Sequence, residues 1–127
     1  MSENEPDTNH EAFLKHAAIA YAGIAKVLGM LPIPIALKVQ LDTGPSDIED
    51  LLRARKLVHE IPMEEILTAV VNTMIVEWMA AMTLAGQIDP DDESDDWLLE
   101  AAILNMLRVD LSINVALNIL ADRSAKK

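Results

Sequence analysis

Residues 89–100 read Asp-Pro-Asp-Asp-Glu-Ser-Asp-Asp-Trp-Leu-Leu-Glu, the one stretch of this chain whose spacing matches a ligand set. A calcium loop between two helices supplies oxygens from its first, third, fifth, seventh, ninth and twelfth residues and needs glycine at the sixth for a sharp turn. Counted from Asp89, the acids Asp91 and Glu93 take the third and fifth positions, Asp95 the seventh and Glu100 the twelfth. Ser94 stands where glycine is required, and Asp96 where an apolar residue is usual. The same residues also suit the start of a helix: Ser94 or Asp95 can cap it, and acids in its first turn favour the dipole. The spacing therefore predicts a helix-capping, solvated acidic loop. A cation-responsive loop ligated by Asp89, Asp91, Glu93, Asp95 and Glu100 is the competing reading.

Other chemistry finds little support. His10, His16 and His59 form no His-Glu-x-x-His pair, and none has the glutamate three residues earlier that a diiron bundle needs. Four glycines build no phosphate loop, there is no Gly-x-Ser-x-Gly, and the absence of cysteine removes thiolate nucleophiles, disulfides and Cys-ligated zinc. No catalytic residue and no cofactor are expected. One carboxylate stands out: Asp110 falls on the apolar seam of the last helix, where an unpaired charge is costly. It is expected either to pair with a lysine from helix one or two or to set the register of a dimer.

Charge is segregated. Residues 57–107 contain no lysine or arginine and eleven acids, while the other ten acids balance all ten Lys and Arg, so the net charge of −11 resides in one internal block. Such a block argues against binding nucleic-acid phosphates and points to a basic partner or a cation. Asp91, Asp92, Asp95 and Asp96 are the residues expected to steer a basic protein surface.

The elements that must position these residues are helical. Aromatics are only 3% of the chain, and its apolar bulk is Ala, Leu, Ile, Val and Met. The acidic N-terminus is unlike a secretory leader, and no uncharged apolar run reaches the roughly 18 residues of a membrane span, so a cytoplasmic protein without a span is expected. The division expected is a disordered tail over 1–7, one helical domain over 8–123 and a basic tail over 124–127. Thr8 with Glu11 makes a capping box for helix one, about Asn9 to Met30, ended by Pro32 and Pro34. A short helix from Ile35 to Asp42, a third from Asp47 to Glu60, a fourth opening at Pro62 and reaching Gln87, and a fifth from Asp95 to Asp122 complete the pattern.

The last two helices lack an ordinary wet face. On the fourth, Leu67, Val70, Val71, Met74, Ile75, Trp78, Ala81, Met82 and Ala85 form a broad apolar side, and the opposite side is almost uncharged. On the fifth, Leu99, Ile103, Met106, Ile113, Leu117 and Leu120 form a seam, with Leu104, Leu107, Leu111 and Val115 apolar elsewhere. A chain of this length cannot bury all of it. The fold expected is all-α, a bundle of four to five helices with two long antiparallel C-terminal helices, completed by dimerisation. Asn72, Val76, Met79, Thr83, Leu107, Asp110 and Leu111 are the expected interface. The function expected is non-catalytic: an adaptor, chaperone or inhibitor docking a basic protein partner as a homodimer. A cation-responsive module and a purely structural assembly component are the alternatives.

Overall fold

Strong helix formers dominate the chain, and the described residues follow them into helices and the turns between. The computed structural model describes residues 5–37, 45–89 and 91–125, with side chains over 10–37, 48–89, 91–92 and 94–122. The helices are α1 (Glu5–Gly29), α2 (Pro45–Val58), α3 (Glu65–Gly86) and α4 (Asp96–Ala125), the last entered through a 3-10 turn at Glu93–Asp95. Among the described residues this is the all-helical bundle expected, with four α-helices.

The boundaries depart in identifiable ways. Helix α1 begins at Glu5, ahead of the Thr8–Glu11 box, so Thr8 lies inside the helix and residues 5–7 are helical rather than tail. The helix expected from Ile35 to Asp42 does not start there: residues 34–37 are irregular, and the Ile35 N–H donates back to the Leu28 carbonyl at 2.9 Å; the rest of that segment lies outside the described residues. Helix α3 starts at Glu65, with Glu64 at the N-cap position and making no side-chain cap bond, not at Pro62. Residues 1–4 and 126–127 lie outside the described residues.

The most extensive packing is between α3 and α4; α1 lies against both, and α2 packs on α3. On α3 the buried residues are Leu67, Val71, Met74, Ile75, Trp78, Ala81 and Ala85, with Val70 and Met82 partly buried, as the apolar face predicts. On α4 the expected seam is met at Met106, Ile113 and Leu120, and elsewhere the buried residues are Leu98, Ala102 and Ala116 in place of Leu99, Ile103 and Leu117. The buried line is Leu98, Ala102, Met106, Val109, Ile113, Ala116 and Leu120, while Ile103 is 37% exposed and Leu99 only half-buried. The physical reason is size. Alanines at 102 and 116 allow close helix approach, which a seam chosen by the largest side chains overlooks. Close approach recurs at Gly23 of α1, where a Cβ would come within 2.9 Å of Ile113 Cδ1.

Trp78 anchors the centre. It is fully buried, its Nε1–H donates to the Ala17 carbonyl at 2.9 Å, and its ring meets Tyr21 at 5.6 Å between centroids with a 55° tilt. Burying its indole without that acceptor would leave a costly unsatisfied donor.

Candidate interaction surface

The acidic loop is built from its own hydrogen bonds. The Asp91 N–H donates to Asp89 Oδ1 at 3.0 Å, and the Asp89 N–H to Asp95 Oδ2 at 3.0 Å. The Ser94 N–H and hydroxyl both donate to Asp92 Oδ1, at 2.9 and 2.6 Å. The Ser94 hydroxyl, then its N–H, hold the Asp92 carboxyl below the usual carboxylate range. Backbone bonds from Asp92 to the Asp89 carbonyl and from Asp95 to the Asp92 carbonyl close successive turns. The Asp92 carboxylate thus caps the 3-10 turn that leads into α4, and Asp89 and Asp95 brace the loop before it. Among the described residues no group of three acids or histidines is placed to hold a metal; the Glu93 side chain lies outside them. Asp89, Asp91, Asp92, Asp96 and Glu100 are exposed and Asp95 is half-buried, so Asp91, Asp92 and Asp96 of the docking set face solvent.

Asp110 has a partner. Its Oδ2 lies 2.6 Å from His16 Nε2, which joins α4 to α1. Helix one does supply the partner, as a histidine rather than a lysine. The pair is incompletely buried, the side chains being 30% and 40% exposed. A second polar link, centred on Glu77, was not foreseen. Its carboxylate accepts from Asn105 Nδ2 at 3.2 Å and lies 3.9 Å from Arg108 Nη1, tying α3 to α4. The sequence held a signal for it: Glu77 is the single charge within an otherwise uncharged stretch of α3.

The expected interface residues divide between two roles. Arg55 Nε donates to Asn72 Oδ1 at 2.9 Å, so Asn72 joins α3 to α2. Met79 packs against the core. Asn72, Met79 and Asp110 are therefore engaged inside the chain. Val76, Thr83, Leu107 and Leu111 face solvent, and Thr83 returns its hydroxyl to the Met79 carbonyl at 2.8 Å.

What stays uncovered is one side of α4. Trp97 (61% exposed), Leu104 (54%), Leu107 (46%), Leu111 (65%) and Val115 (45%) run along it for about 27 Å at ~1.5 Å per residue. The outer face of α3, with Ile66, Ala69, Thr73, Val76 and Thr83, is likewise exposed and uncharged, and Ala80 on it is half-buried. By length and composition alone, Glu65–Gly86 and Asp96–Asp122 are each apolar enough to cross a membrane, a measure that core helices of soluble proteins also meet.

Comparison with protein-family models, with curated proteins and with solved structures gives no match.

Proposed function

We propose that this chain is a non-catalytic interaction module that acts as a homodimer and docks a protein partner with a basic surface. The observation that carries this reading is the line of exposed leucines on α4. Leu104, Leu107 and Leu111 are each about half exposed or more on a helix whose other side is already committed to the core. A contiguous apolar strip of this kind marks an association surface more often than an idle one. The two long helices, α3 and α4, are read as an antiparallel pair: the link from Glu77 to Asn105 and Arg108 and the short connection between them support this. The exposed acids at the loop then lie at one end of the strip, where they would steer a basic partner without being buried.

The test is solution mass by light scattering after size exclusion, on the full chain and on Leu107→Glu and Leu111→Glu. Twice 14.0 kDa for the parent and a lower mass for both variants, with unchanged helical circular dichroism, is the result expected. A monomeric parent at tens of micromolar would end the homodimer reading.

A membrane-inserted hairpin is a second reading, supported by the length and apolar content of α3 and α4. Against it, Glu77, Arg108 and Asp110 lie in the middle of the two helices, and the acids of the connecting loop would have to cross the bilayer. Recovery of the expressed chain in the soluble fraction without detergent separates the two.

A further inference from the structure

Helix α4 carries two heptad seams. The inner one, Ala102, Met106, Val109, Ile113, Ala116 and Leu120, is buried in the bundle with steps of four, three, four, three and four residues. The outer one, Glu100, Leu104, Leu107, Leu111, Asn114 and Asn118, repeats those steps and is exposed along its whole length. Steps alternating between three and four are what a helix presents to one partner helix, since they keep a single stripe in the contact.

We infer that the outer seam pairs with the outer seam of a second copy, antiparallel, about a two-fold axis level with Val109. This rests on the homodimer reading above and adds which face pairs and in which direction. Two features argue for the direction. The first is that the seam maps onto itself when reversed about that level: Leu107 meets Leu111 of the second copy, Leu104 meets Asn114, and Glu100 meets Asn118. A two-fold interface requires this self-complementarity. The carboxylate of Glu100 then meets an amide donor.

The second is charge. A parallel, in-register pair sets Glu100 against Glu100 and brings two acidic loops, each with Asp89, Asp91, Asp92, Asp95 and Asp96, to the same end. Those like charges would lie within about a Debye length of 8–10 Å. Reversal separates the loops by roughly 50 Å at ~1.5 Å per residue. It also turns the acidic end of each helix toward the end where the sequence carries Arg123, Lys126 and Lys127, with Asp122 the acid among them. Parallel pairing would match Asn114 with Asn114, a favourable amide pair. That gain comes from one or two layers, whereas the loops, with Glu93 added to the five aspartates, set six acids against six.

The chain has no cysteine, so single introduced thiols report the pairing without background. Leu104→Cys and Asn114→Cys are made separately, mixed at a mass-verified dimeric concentration, and oxidised. The mixed disulfide should exceed either self-disulfide by about tenfold, because only groups with Cα atoms within about 7 Å can be bridged. Self-disulfides of Leu104→Cys alone would show parallel pairing and overturn the direction. A dimeric mass with no cross-link at either position would place the interface elsewhere, overturning this inference while leaving the homodimer reading intact. A monomeric mass would overturn both. The two variants keep their helical circular dichroism if the seam is external to the fold, as its exposure requires.

Discussion

Asp92 holds the entry to α4 through Ser94, and its titration should show it. A carboxyl held below the usual range contributes stability above its unfolded value, and that contribution is lost as pH falls through the lower, folded one. By carboxyl-carbon NMR, Asp92 should titrate below the ordinary aspartate position, and Ser94→Ala should move it part of the way back, because the hydroxyl is the larger cause and the backbone N–H remains. The His16–Asp110 contact makes a second expectation at this scale. His16→Ala and Asp110→Ala should each cost about 0.5–1.5 kcal/mol, the ordinary worth of a hydrogen bond, with partial exposure favouring the low end. The double variant should lose less than the sum, since the two side chains share one interaction. Additive losses in denaturant titration would show that the contact carries no coupling.

At the scale of the helix, the decisive matter is which side of α4 is inside. Leu98 is 7% exposed and Leu104 is 54% exposed, although both are leucines in the same helix. Leu98→Ala should cost about 2–5 kcal/mol by leaving a cavity, and Leu104→Ala well under half of that in the monomer. Equal losses would mean the register is misplaced. The contact between α1 and α4 makes a finer prediction at Gly23. Alanine there gains up to about 1 kcal/mol of helix propensity, but its Cβ meets Ile113 Cδ1, the far end of a flexible side chain. The sum should be near neutral in melting temperature. Valine, which cannot be accommodated by one methyl shift, should cost about 1–3 kcal/mol.

For the molecule as a whole, the segregation of charge from apolar surface governs association. Acids are concentrated at the loop, and the outer seam of α4 bears only Glu100 among ionised groups. Binding of a basic partner should therefore weaken with salt and with the joint substitution of Asp91, Asp92, Asp95 and Asp96 by Asn, whereas dimerisation should change little between about 50 and 500 mM salt, values spanning weak to strong screening. A dimer dissociated by salt alone would assign the interface to the charges instead. Because Trp97 is exposed beside the loop, its fluorescence also tests the cation reading. With the loop acids serving as caps, millimolar calcium, the weak end of calcium sites, should leave the emission unchanged. A saturable change would restore the cation-responsive alternative.

By itself the sequence determined the helical class, the core side of α3 and the break after α1. Each follows from local causes: propensity, periodicity and proline sterics. The acceptor at the loop is Asp92, to which Ser94 donates, in place of the expected caps Ser94 or Asp95. The sequence also marked Asp110 as a seam carboxylate expected to pair with a lysine of helix one or two or to set the register of a dimer. Only the tertiary structure chose histidine for that role, because the level at which two helices cross is fixed by packing and not by either helix alone. The same holds for the inner seam of α4. Leucines and isoleucines occur on nearly every side of that helix, so periodicity alone left its rotation undecided. Close approach to α1 and α3 settled it by placing Ala102 and Ala116 inside and leaving Leu104, Leu107 and Leu111 outside.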